Sequence, residues 1–163
     1  MSEDNLLAGK RILVVDDEPD ILGTLEELLN MCDVVSASRF DQAKNLLETQ
    51  YFDFAILDIM GVRGFELLAL AKKRQVPAVM LTAHAMNIEN TIKSFKEGAA
   101  FFVPKDQVSK IGLFLSDIVE AKEKGKSSWW RWLERFRSHY LSRFGPDWQK
   151  NEKEFWEKFP NYY

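Results

Sequence analysis

Asp16 and Asp17 close the apolar run Arg11-Ile12-Leu13-Val14-Val15, and Asp58 closes a second, Phe54-Ala55-Ile56-Leu57. A short apolar run that ends in acid reads as a buried strand delivering charge to the rim of a sheet. On neighbouring strands the three carboxylates converge, and carboxylates held together repel unless a cation neutralises them. All-oxygen ligands of this kind suit Mg2+ or Mn2+. Two more apolar runs, Ala78 to Leu81 and Ala99 to Val103, lead to Thr82 and Lys105, which add a hydroxyl and a cation. The set is suited to phosphoryl transfer onto a carboxylate. Asp58 attacks phosphorus, a divalent cation offsets the negative charge around it, and Thr82 and Lys105 hold the remaining phosphoryl oxygens. A carboxylate is ionised at neutral pH, so no general base is needed.

The elements that must position these residues alternate along the first 125 positions. Strands are predicted at Arg11 to Val15, Val34 to Ala37, Phe54 to Leu57, Ala78 to Leu81 and Ala99 to Val103, none alternating polar with apolar. Between them lie helical patterns. Pro19 stands at a first helical position before Ile21 and Leu25, Ser38 or Asp41 precedes Ala43 and Leu47, and Gly64 precedes Leu67 and Ala71. Asn87 opens a fourth helix that Gly98 stops, and Asp106 or Gln107 opens a fifth, with Val108, Ile111, Phe114, Leu115, Ile118 and Val119 on one face. Five such units give a parallel sheet covered on both sides, with its site at the carboxyl ends of the strands. Singly, each site residue has a plainer reading. Asp17 or Asp20 could cap the first helix, Thr82 could start one, and Lys105 could pair with an acid as a fold element.

The ordered set Leu13-Val14-Val15-Asp16-Asp17-Glu18-Pro19, Ala55-Ile56-Leu57-Asp58-Ile59-Met60, Leu81-Thr82-Ala83-His84 and Phe102-Val103-Pro104-Lys105 resembles the receiver domain of two-component response regulators. The resemblance covers roughly residues 9 to 124. It implies a doubly wound, flavodoxin-like α/β fold with strand order 2-1-3-4-5, and Asp58 as phospho-acceptor. Asp17 and Asp58 would be direct metal ligands, with Asp16 acting largely through metal-bound water and the Met60 backbone carbonyl as a further ligand. Thr82 and Lys105 would contact the phosphoryl group. Phe102 matches the aromatic residue that rotates inward when Thr82 moves, so the switch would be read on the face of helix four, strand five and helix five. Met60 and His84 occupy positions that tune the lifetime of the phosphoryl group. The implied partners are a sensor histidine kinase or phosphotransfer protein and a downstream protein.

Two departures from the family pattern stand out. The segment Asp58-Ile59-Met60-Gly61-Val62-Arg63-Gly64 is shorter than usual by about two residues and lacks proline, and Arg63 adds positive charge there. Pro104 precedes Lys105 and Asp106 follows it, whereas the family places a cis proline after the lysine.

The composition, 46% hydrophobic and 29% charged over 163 residues, is that of a globular protein with one sizeable core. No run approaches the ~20 apolar residues of a membrane span, and Met1-Ser2-Glu3-Asp4-Asn5 lacks a basic leader, so the expected location is the cytoplasm. Cys32 is the single cysteine and reads as a small buried residue. Residues 1–125 carry 14 Lys+Arg against 20 Asp+Glu, whereas 126–163 carry 8 against 5. All five Trp lie in that second stretch. The expected organisation is an N-terminal segment at 1–8, a receiver at 9–124, a linker at 125–128 and a helical extension at 129–163.

Trp129, Trp132, Leu133, Phe136, Tyr140 and Phe144 recur at helical spacing among Arg131, Arg135, Arg137 and Arg143. Gly145-Pro146-Asp147 then breaks the chain before a second helix carrying Trp148, Phe155, Trp156 and Phe159 and ending at Pro160. The extension is too short for a winged-helix output domain, and no DNA-binding output is expected. Three uses remain open for it: packing within the chain or in a homodimer, docking to a partner protein, and contact with an anionic membrane or nucleic acid. For the whole chain the leading reading is a phosphorelay switch that catalyses its own phosphorylation and dephosphorylation. The alternatives are a constitutive interaction module on the same fold and, more weakly, an aspartyl-nucleophile phosphatase.

Overall fold

The computed structural model describes residues 6–83, 88–148 and Trp156. Along them run β1 (Arg11–Val15), α1 (Pro19–Leu28), β2 (Asp33–Ala37), α2 (Phe40–Thr49), β3 (Phe54–Asp58), α3 (Gly64–Lys73), β4 (Ala78–Thr82), α4 (Ile88–Lys96) and β5 (Phe101–Pro104). A 3-10 turn (Lys105–Lys110), α5 (Ile111–Glu123) and α6 (Trp129–Phe144) follow. The strands form one parallel sheet in the order β2-β1-β3-β4-β5, as the resemblance implied. β3 and β4 are buried along their whole length. This is why their sequences run apolar without alternation, since helices cover both faces.

Register brings the polar strand ends together. Val15 pairs with Leu57, Asp58 with Leu81, and Thr82 with Pro104, so the residues that follow or end these strands share one edge of the sheet. β3 and β4 each run one residue further than the apolar pattern predicted and include Asp58 and Thr82.

Several boundaries differ from expectation for identifiable reasons. β5 begins at Phe101 rather than Ala99, because the Gly98 and Ala99 amides close α4 by donating to the Phe95 and Ser94 carbonyls, with Gly98 at φ +93°. The α2 N-cap is Arg39, with neither Ser38 nor Asp41 supplying a side-chain cap. The Ser38 amide instead donates to Gln42 Oε1 at 3.2 Å. The fifth helix opens at Ile111, since Lys105–Lys110 wind as a 3-10 turn first. Asn87 and most of the second tail helix lie outside the described residues.

β5 is an edge strand, yet all four of its residues are buried. Its cover is α6. Trp129, Trp132, Leu133, Phe136 and Tyr140 of that helix are buried, and Phe136 meets Phe101 and Phe114 at ring centroid distances of 6.2 and 5.4 Å. An uncovered edge is a template for pairing with other chains, and α6 removes that hazard here.

Candidate functional site

Burial concentrates charge at the carboxyl end of the sheet. Asp16 is fully buried and Asp58 is 2% exposed, whereas Asp17 faces solvent. Lys105 enters among them with Nζ 2.8 Å from Asp16, 3.0 Å from Glu18 and 3.4 Å from Asp58. Its approach survives the unusual order of Pro104 and Lys105, and no cis peptide occurs among the described residues. Asp16 Oδ1 accepts the Glu18 amide at 2.9 Å, so Asp16, rather than Asp17 or Asp20, steadies the turn into α1.

The acids are held against their own charge. Burial first, then the neighbouring Asp16, pushes the Asp58 carboxyl up to about 6, with Lys105 opposing. Asp16 is raised too, chiefly by burial. Burial also works against the Lys105 ammonium, but the Asp16 and Glu18 carboxylates against it, with Asp58 nearby, raise it above its ordinary range. One lysine is therefore shared among three carboxylates. Asp16 Oδ2 and Asp58 Oδ1 remain without hydrogen-bond partners; they meet Lys105 through ion pairing alone. Oxygens of Asp16, Asp17 and Glu18 also lie within 4.8 Å of one another. Orphaned buried carboxylate oxygens beside further acids form a donor set suited to a hard divalent cation.

The short turn after β3 owes its shape to two glycines. Gly61 has φ +83°, and a Cβ there would strike the Asp17 carboxylate, with its Cγ at 2.7 Å. A Cβ on Gly64 would meet the Ile59 Cα at 2.8 Å, where the Gly64 amide donates to the Ile59 carbonyl at 3.2 Å. Met60 heads this turn with its side chain 69% exposed. Arg63 does not bring its charge to the carboxylates. In a left-handed conformation it lays its guanidinium over the Phe40 ring at 3.9 Å and pairs with Glu66.

Thr82 ends β4 at 8% exposure, and Phe102 is fully buried on β5. His84 lies outside the described residues. Sequence reasoning missed Glu18 as a partner of Lys105, although its place in the acidic run Asp16-Asp17-Glu18 was a usable signal. It also missed the contact between Gly61 and Asp17, which no local pattern reveals.

A doubly wound parallel sheet with buried acids and a lysine at its carboxyl edge defines the class, and comparison with known proteins gives the family. Residues 12–112 match the model of the response regulator receiver domain, and the chain belongs to that family. Over 105 residues it is 32% identical to the response regulator PilR of Pseudomonas aeruginosa, covering 61% of this chain and 23% of that one. Over 100 residues it is 34% identical to the transcriptional regulatory protein CpxR of Escherichia coli, covering 58% and 42%. The chain thus spans less than half the length of these curated relatives. A CheY-like receiver domain protein of Methanospirillum hungatei superimposes with a TM-score of 0.60 at 28% identity, over 72% of this chain and 99% of that one. A response regulator of Burkholderia pseudomallei, solved with a phosphorylated aspartic acid, a calcium ion and citrate, gives 0.54 at 28% identity over 59% of each chain. Membership places the chain in two-component signalling, whose receivers interact with histidine kinases or phosphotransfer proteins. Among the described residues no helix is long and apolar enough to cross a membrane.

Proposed function

We propose that this receiver is a phosphorylation switch in which Asp58 takes a phosphoryl group from the phosphohistidine of a kinase or phosphotransfer protein. An Asp58 carboxylate oxygen bonds to phosphorus as the histidine nitrogen–phosphorus bond breaks, leaving an acyl phosphate and a free imidazole. Asp16, Asp17, Asp58 and the Met60 carbonyl would hold Mg2+ (or Mn2+), which supplies charge neutralisation for the incoming oxygens. Lys105, released from sharing its charge among three acids, would pair with a phosphoryl oxygen, and Thr82 would donate its hydroxyl to another. The observation carrying this reading is the buried Asp58 carboxylate on the central strand, with an orphaned oxygen 3.4 Å from the Lys105 ammonium. The phosphorylated aspartic acid and calcium ion in the similar Burkholderia protein support it.

The test is intact mass after incubation with Mg2+ and acetyl phosphate. Gain of one phosphoryl group that disappears in Asp58→Ala supports the switch. No gain at any Mg2+ concentration would sink it, and steady turnover of phosphomonoesters would favour the aspartyl phosphatase.

A constitutive interaction module is the second reading. It draws on α6, which already occupies the α4–β5–α5 face on which a switch would be read.

A further inference from the structure

α6 holds the receiver by a set of polar contacts superimposed on its aromatic packing. Trp129 Nε1 donates to the Ala99 carbonyl at 2.6 Å, and Trp132 Nε1 donates to the Phe102 carbonyl at 2.9 Å. The Ser128 hydroxyl donates to the Ala100 carbonyl between them. Three side chains thus satisfy the carbonyls of Ala99, Ala100 and Phe102, along and just before the free edge of β5, where a further strand would otherwise bind. The other anchors reach the flanking helices. Tyr140 hydrogen-bonds to Thr91 on α4, and Arg135 makes a two-pronged pair, at 2.6 and 2.9 Å, with Asp117, a buried acid on α5. Phe95 of α4 meets Trp129 edge-on at 5.0 Å.

All but the Arg135–Asp117 pair fall on one stretch: α4, β5 and the residues joining them lie between Thr82 and Lys105, the two residues proposed to grip a phosphoryl group. Any inward movement of Thr82 and Lys105 must propagate through the stretch that α6 clamps. Phe102 sits three residues before Lys105, is fully buried, and contributes its own carbonyl to the clamp.

We propose that α6 is an intramolecular occupant of the α4–β5–α5 face whose docking opposes the phosphorylated state, so that phosphorylation at Asp58 loosens α6 and uncovers that face. The proposal rests on Asp58 as acceptor. Coupling between two sites is reciprocal, so loosening α6 must in turn favour phosphorylation. Uncovering presents the β5 edge, the Phe101 and Phe114 rings and the Asp117 carboxylate together. This is a surface suited to a partner helix with an aromatic face and a cation placed as Arg135 is.

The protein carries its own probe, because all five Trp lie in residues 129–156 and none in the receiver. Tryptophan emission and hydrogen exchange of α6 amides are followed with intact mass while the full chain reacts with Mg2+ and acetyl phosphate. The expected result is a red shift of emission and at least tenfold faster exchange in residues 129–144, both growing with the phosphorylated fraction and both absent in Asp58→Ala. In the reciprocal direction, Arg135→Gln, which removes the charged two-pronged guanidinium, and Trp132→Phe, which removes the indole donor but keeps an aromatic ring, should each be phosphorylated at least threefold faster than the parent. A mass gain with unchanged emission, exchange and variant rates overturns the clamp while leaving the acceptor intact. Absence of any mass gain overturns both.

Discussion

Asp58 is stabilised by the fold in its protonated form, because burial and Asp16 push its carboxyl from 3.8 to about 6. A raised folded-state value means that the stabilisation is fully present below pH ~4 and is lost as pH rises through ~6. At neutral pH, without a divalent cation, the ionised group therefore costs the fold on the order of 3 kcal/mol. Asp58→Asn should raise the urea midpoint at pH 7 in chelator, and the gain should vanish near pH 4; an equal gain at both pH values would contradict this electrostatic origin. Gly61 acts on the neighbouring acid through space rather than charge. Its φ of +83° and the nearness of Asp17 leave no room for a Cβ, so Gly61→Ala must displace either the turn or the carboxylate. A tenfold or greater loss of Mg2+ affinity by titration is expected, with the thermal midpoint falling by only a few degrees. Unchanged affinity would show that Asp17 is not held by this contact.

At the scale of elements, legibility in the sequence followed the range of the forces involved. The strands could be read because each is a short apolar run whose end changes character, as at Leu57 to Asp58 and Leu81 to Thr82, and α1 because Pro19 marks its first turn. The start of β5 was misplaced because Ala99 looks like any apolar strand residue until the closing bonds of α4 claim its amide. The stripe of Trp129, Trp132, Phe136 and Tyr140 told that α6 has a face to bury. It could not tell what buries it, because the deciding bond joins Trp132 to a backbone carbonyl 30 residues away and carbonyls leave no trace in side-chain pattern. The same bond sets the cost of losing the element's anchor. Trp132 is fully buried, and Trp132→Ala both opens a cavity and orphans the Phe102 carbonyl, so a destabilisation of ~3–5 kcal/mol is expected in equilibrium unfolding. A change below ~1 kcal/mol would mean that α6 adds little to the stability of the sheet it covers.

Across the whole molecule, charge is distributed so that its deficit and its excess lie in different places. Residues 1–125 hold six more acids than bases, and the most confined of these, Asp16 and Asp58, share Lys105, whereas the basic excess lies in residues 126–163. Of the tail's arginines Arg135 is committed to Asp117 and Arg131 to Glu134, so none of that pairing relieves the site at the carboxyl edge of the sheet. The remaining electrostatic strain is local, and a divalent cation of the kind proposed above would relieve it. A ligand that binds only the folded state at 100 times its dissociation constant stabilises by ~2.7 kcal/mol, and in a chain of this size each kcal/mol raises the melting temperature by ~2–4 °C. Saturating Mg2+ at pH 7 should therefore raise the thermal midpoint by several degrees. The rise should shrink below pH ~5, where Asp58 is protonated, and nearly disappear in Asp17→Asn, whose exposed side chain can be neutralised without disturbing the core. An undiminished rise in that variant would place the cation elsewhere on the acidic half of the chain and leave the buried carboxylates dependent on Lys105 alone.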